Sequence, residues 1–323
     1  TEVVQAVLKT MGALLILGII LYAIDIQTIV SEGLAKDKFS LGTFKPDFTQ
    51  SSFWVVFIYG FFINLVNFGV DQNYIQRYHT AQSTKDAQKS IWQCVVYYVP
   101  VSFLFFFVGT ALFVYYQHFP EQIQSLKEVV SFEKSIALAD LQPSDYGDRV
   151  LPHFIKTKIP TGLLGLLMAA LLSAAMSTMS SSMNSSATVF LKDFYTRYFQ
   201  KNLNDLQQLK VLRIATVCFG LLGISFGIAM IGAKSILDIW WKLSGIFAGG
   251  MLGIFLLGFL IKNAGKAAAI GGTMVGVVVI AYLSLQTYLP ESLKTNLEPK
   301  MTVAFGTLTI VGVGWLVTKF VKR

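Results

Sequence analysis

Residues 173 to 188 read Ser-Ala-Ala-Met-Ser-Thr-Met-Ser-Ser-Ser-Met-Asn-Ser-Ser-Ala-Thr inside a long apolar stretch. Wound at 3.6 residues per turn, Ser173, Ser177, Ser180, Ser181, Asn184 and Thr188 fall along one face. A hard monovalent cation needs several oxygen ligands. Hydroxyls and a freed backbone carbonyl supply them without fixed charge. The same residues also read as a small-residue strip, in which Ala170, Ala174, Ser177 and Ser181 let a neighbouring backbone approach closely. The residues alone leave both readings open.

A second polar interruption is Gly60, Asn64, Asn67 and Gly69, followed by Asp71-Gln72. Buried amides require hydrogen-bond partners, so Asn64 and Asn67 either join helices or contact a ligand. Glycine beside asparagine also suits an unwound stretch lining a cavity. Asp238 and Lys242 stand four apart on one helix face, in the favourable order for an ion pair, either functional or snorkelling to the interface. The histidines, His79, His118 and His153, sit at loops or span ends, and no metalloprotease, nucleophile-elbow or phosphate-loop motif occurs. Nothing points to an enzyme.

The elements that must carry these residues are membrane helices. Of 323 residues, 54% are hydrophobic and 14% charged, about half the charged fraction of an ordinary soluble domain. Cys94 and Cys218 lie in apolar runs and support neither a disulfide framework nor a thiolate metal site. Stretches free of Asp, Glu, Lys and Arg cover residues 10–24, 48–70, 90–120, 159–191, 214–233, 243–261, 267–290 and 301–318. Most reach the ~20 residues that cross ~30 Å of hydrocarbon, so an all-α polytopic membrane protein of about eight spans is expected. Glycine pairs Gly223/Gly227, Gly245/Gly249, Gly249/Gly253 and Gly272/Gly276 read as close helix contacts.

The net charge of +8 follows from basic loops rather than nucleic-acid binding. Arg77, Lys85, Lys89, Lys192, Arg197, Lys201, Lys210 and Arg213 crowd two alternate loops, which places both ends of the chain on the cytoplasmic side of the cell membrane, a bacterial inner membrane by expectation. Residues 1–323 read as one transmembrane domain with an outward loop at 121–157. In that loop, 122–139 has helical apolar spacing, Pro143 and Asp145-Tyr146-Gly147 read as a turn, and Pro152 and Pro160 bracket the next span. Thr1 opens directly into an apolar helix, so further helices of the same protein are expected before it.

The sequence resembles the sodium/solute symporters, the family of sodium–glucose, sodium–proline and bacterial sialic-acid transporters. Three segments carry the resemblance: Thr1-Glu2-Val3-Val4-Gln5, Asp71-Gln72-Asn-Tyr-Ile-Gln76-Arg77, and Ala174 to Asn184 with Asp193-Phe-Tyr195. The resemblance implies a leucine-transporter-type inverted-repeat fold, of which this chain would hold core helices five to ten and two accessory helices. It further implies sodium-coupled symport of a small solute through the lipid bilayer.

By the same resemblance, the principal sodium site matches the Ala174 carbonyl and the Ser177 and Thr178 hydroxyls, with its other ligands on a first core helix. A second site, found in some members, matches Glu2, Ser177, Ser180 and Ser181, although the usual acid is Asp. Asn64 matches a sugar-contacting Asn. Asn67 stands where an inner-gate Tyr is found, Phe68 where Trp is frequent, and Trp241 where sugar carriers have Gln. A Lys of those carriers is replaced by Tyr97 or Tyr98. Lys242 suits an anionic solute, so sugars, sialic acid and related carboxylates are the expected cargo. The alternative is a symporter-like sensor module of a signalling protein. A proton-coupled carrier is disfavoured because the hydroxyl run holds no lysine.

Overall fold

The computed structural model describes residues 2–231, 236–286 and 289–321; the side chains of Glu2, Ser144, Ile236, Leu237, Asp238, Trp241, Lys242 and Val321 lie outside that description. The described elements are helical: α1 (Glu2–Ala23), α2 (Ile26–Ala35), α3 (Phe53–Gly69), α4 (Gln72–His79), α5 (Thr84–His118), α6 (Glu121–Lys134), α7 (Pro143–Lys158) and α8 (Thr161–Val189). A π-helical stretch Phe190–Tyr195 and the short α9 (Thr196–Tyr198) follow, then α10 (Asp205–Ala229), α11 (Ile236–Leu260), α12 (Lys266–Ser284) and α13 (Thr302–Val321). Among the described residues, seven helices are long and apolar enough to cross a membrane, and the bent pair α3–α4 makes up to eight spans. The expected count therefore stands.

The chain divides into two compact units. The first comprises Thr1–Ser40 and Gln82–Lys234. Its core joins Ile16 and Ile20 of α1, Ile29 of α2, Val114 of α5, Val130 of α6 and Phe154 of α7. Helix α1 runs unbroken through Lys9, which is half-buried on the same face as Gln5. The helix thus joins the charge-free stretch from Thr10 to the apolar start before it, as expected of a chain that opens directly into a helix. Helix α2, not foreseen, starts at Asp25, whose carboxylate accepts from Gln27 N at 2.9 Å.

The outward loop corrects two expectations. Helix α6 ends at Lys134, where Ser135 adopts φ 53°, so Ile136 and Ala137 lie beyond the amphipathic helix. The expected turn at Asp145-Tyr146-Gly147 is instead the first turn of α7. Pro143 occupies its first position, where a missing N–H costs nothing, and Asp145 Oδ2 accepts from Gln142 N at 3.0 Å. Pro152 therefore lies inside α7, while Pro160 precedes α8. Lys134 pairs with Asp145 at 2.9 Å and ties α6 to α7.

The second unit comprises Leu41–Ala81 and Ser235–Arg323. Helices α3, α11 and α13 share a core of Tyr59, Val66, Ala248, Leu252 and Val303. Glycines set the close approach of α11, α12 and α13. A Cβ at Gly272 would lie 2.6 Å from the Ile310 carbonyl oxygen, and one at Gly249 would lie 3.1 Å from that of Val303. The glycine-packing expectation holds at 249, 253, 272 and 276, while at Gly245 an added Cβ would make only ordinary contact at 3.8 Å. It fails at Gly223 and Gly227, where an added Cβ meets nothing within 4 Å.

Candidate cation and solute sites

Helix α8 lies against α1 on one side and α10 on the other. Gln5 Nε2 donates to Ser173 O at 3.2 Å and Ser173 Oγ at 2.9 Å. Two turns further along α1, Gly12 leaves room for Leu167, whose Cδ1 would lie 2.5 Å from an added Cβ. On the opposite flank, Met183 sulfur sits 3.3 Å from where a Cβ on Gly220 would be. This packing holds the hydroxyl-rich face in place. Ala174, Ser177 and Ser181 are half-buried, while Ser173, Thr178, Ser180 and Asn184 are exposed.

Thr178 Oγ1 donates to the Ala174 carbonyl at 3.0 Å. Two oxygens that far apart can both reach a cation at about 2.4 Å, a hard-cation oxygen distance, once the hydroxyl proton swings away. The donor set is neutral oxygen. No three His, Cys, Asp or Glu side chains cluster as a metal site among the described residues. These residues fit a weakly held monovalent cation rather than a zinc-like metal. Glu2 is the first residue of α1, but its side chain lies outside the described residues, as do those of Trp241, Lys242 and Asp238.

Past Thr188, α8 passes into the π-helical stretch that carries Asp193-Phe-Tyr195. Lys192 Nζ donates to Gln208 Oε1 at 3.2 Å and holds this exit to α10.

In the second unit, Asn64 Nδ2 donates to the Gly60 carbonyl one turn back at 2.7 Å. That bond uses one of the amide's two N–H donors within its own helix, and α3 continues unbroken to Gly69. The break falls at the Gly69 end of the polar interruption, just before Asp71-Gln72. Val70 N and Asp71 N both donate to Val66 O at 2.9 Å, Asp71 caps α4 through Asn73 N at 2.7 Å, and the axis turns by 46°. Asn67 and Phe68 are half-buried. The Phe68 carbonyl accepts from Tyr78 OH at 3.2 Å, and its ring lies 5.3 Å from that of Tyr74. The structure thus groups Ala174, Ser177, Thr178, Ser180 and Ser181 on α8, and Asn64, Asn67 and Phe68 on α3.

Gln5 and Tyr78 were given no role from sequence. A buried amide in an otherwise apolar helix was the available signal for Gln5; Tyr78 offered none.

The described residues are helical, with helices long and apolar enough to cross a membrane, and the solved structure matched below gives them a leucine-transporter-type fold. Residues 1–276 match the model of the sodium:solute symporter family, and the chain belongs to that family. It is 30% identical over 329 residues to the sodium/sialic acid symporter NanT of Aliivibrio fischeri, covering 100% of this chain and 60% of the relative. The sodium/sialic acid symporter SiaT of Proteus mirabilis is 30% identical over 286 residues, with 87% and 54% covered. A solved structure of a Na+-coupled sialic acid symporter, substrate-bound and outward-open, matches with a TM-score of 0.78 and 27% identity, over 99% of this chain and 61% of that one. The chain spans 60% and 54% of the length of these two curated relatives. The sensor-module reading finds no support among these matches.

Proposed function

We propose that the protein carrying this sequence is a sodium-coupled symporter that accumulates a sugar, sialic acid or a related carboxylate by alternating access, not an enzyme. The observation that carries the reading is the Thr178–Ala174 oxygen pair at 3.0 Å on the hydroxyl face of α8. It offers a cation two neutral oxygens at a spacing that both can reach. In this reading Ala174, Ser177 and Thr178 form the principal sodium site. Glu2, Ser177, Ser180 and Ser181 form the second. Asn64, Asn67, Phe68, Trp241 and Lys242 contact or gate the solute.

Helices of the same protein outside this chain supply the remaining ligands, and residues 1–323 work with them as one transmembrane domain. Both chain ends face the cytoplasm. Coupling then requires that sodium bind the solute-ready state better than the alternative state. Uptake of labelled sialate, hexoses, inositol, proline and monocarboxylates into proteoliposomes, with and without an inward sodium gradient, tests the reading. Sodium-driven accumulation of one solute is expected. Accumulation of a solute at equal rate without sodium would overturn it.

A further inference from the structure

We propose that Gln5 is a positioning residue for the cation site, pinning the ligand-bearing turn of α8 to α1. The inference rests on the sodium-coupled reading above and extends it to a residue that touches neither ion nor solute. Gln5 is 9% exposed, and its amide nitrogen contacts both polar oxygens of a single residue, Ser173. An NH2 group carries two donors. With one on the backbone carbonyl and one on the hydroxyl, it fixes both the height and the rotation of α8 against α1. A single bond would leave the helix free to turn about it.

The pinned residue immediately precedes Ala174, whose carbonyl faces the Thr178 hydroxyl at 3.0 Å. A mid-helix carbonyl already accepts the N–H four residues on, here that of Ser177. Gln5 thus uses the second lone pair of a carbonyl whose first binds the backbone of a proposed ligand. The Gly12–Leu167 contact shows that the two helices run antiparallel, since seven residues along α1 match six back along α8. Three residues the other way, the same register sets the backbone of Glu2 level with the turn that holds Ser177. One amide therefore sets the spacing of the α1 and α8 contributions to both proposed sodium sites.

The test uses the full-length protein in proteoliposomes and reads the sodium half-saturation and the sodium-to-lithium preference alongside maximal rate and Tm. Gln5→Met keeps length and packing and removes both donors. It should raise half-saturation roughly 3- to 10-fold, the loss expected for one or two net hydrogen bonds, with maximal rate within about twofold. It should also flatten the sodium-to-lithium preference. Ser173→Ala keeps the backbone bond and should shift half-saturation less than Gln5→Met. Leu167→Ala loosens the same helix pair without touching the pin; it should lower Tm while shifting half-saturation and ion preference clearly less than Gln5→Met does. If Gln5→Met folds poorly, Gln5→Leu gives the same readouts.

Wild-type half-saturation and ion preference in the Gln5 variants would overturn the proposal, as would an equal shift in Leu167→Ala. A wild-type protein without sodium dependence would instead overturn the underlying symporter reading.

Discussion

Replacing Thr178 by valine removes one hydroxyl and keeps the β-branched shape. The hydroxyl is back-bonded to Ala174 O at 3.0 Å, a carbonyl that keeps its backbone partner when the hydroxyl is lost. The stability cost should be about 0.5–1.5 kcal/mol, the net worth of one hydrogen bond. The sodium cost is larger, because a hydrogen bond or ligand contact to a charged group is worth roughly 1.5–3 kcal/mol. At 1.4 kcal/mol per tenfold, half-saturation should rise about 10- to 100-fold.

A matched control lies on the same helix. Thr188 makes the same back-bond, to Asn184 O at 2.8 Å, about 15 Å further along the axis at 1.5 Å per residue. Thr188→Val should leave sodium dependence unchanged. The assay is solute uptake against external sodium, paired with the sodium-induced shift in Tm of the purified protein. Equal sodium shifts in both variants, or none in Thr178→Val, would refute the assignment of the site.

Other outcomes follow from the same geometry. If Glu2, Ser180 and Ser181 complete a second site, the wild type should move more than one sodium per solute, and Ser180→Ala with Ser181→Ala should reduce it to one; reversal-potential measurements in proteoliposomes decide. Gly272→Ala should destabilise by about 1–3 kcal/mol through overpacking against the Ile310 backbone. Gly223→Ala and Gly227→Ala, with open space around them, should instead stabilise by about 0.5–1 kcal/mol. Thermal melts in one detergent check both signs. Hydrogen bonds from the Thr49 side chain and backbone, then from Gln50, hold the Asp47 carboxyl below its ordinary value. A lowered carboxyl pKa stabilises the folded loop above the unfolded value of about 3.9, and that contribution fades as pH falls through the folded value. Amide protection around residues 47–52, measured relative to the intrinsic exchange rate at each pH, should therefore fall under acid in the wild type and be low already at neutral pH in Asp47→Ala.

The spans were legible because a helix crossing lipid must be apolar for about twenty residues, whatever it packs against. Lys9 interrupts the charge-free stretch of the first span but not its helix, since Gln5, Ala13, Ile16 and Ile20 mark one buried face through it. Helix α2 was readable from Asp25 and the spacing of Ile26, Ile29 and Gly33. It is short, and nothing apolar enough to span drew attention to it.

In α7, Pro143 and Gly147 read as turn residues because their local preferences allow both outcomes; the Asp145 cap decides between them. The hydroxyl face of α8 was legible from spacing alone. What it packs against was not, since the Gln5–Ser173 bond joins residues 168 positions apart. The place of the α3 break was left open for a similar reason: Asn64 bonds inside the helix, and the Asp71 cap and the Tyr78 hydroxyl reveal where the backbone turns. Glycine spacing predicts the chance of close packing, and the partner helix determines whether it happens.

The most direct test of the central claim is solute accumulation by the full-length protein in proteoliposomes, driven by an imposed sodium gradient with no other energy source. The account predicts uptake above equilibrium of one sugar, sialate or related carboxylate, collapsing when sodium is equal on both sides. Uptake that proceeds equally without the gradient, or that follows a proton gradient instead, would contradict it.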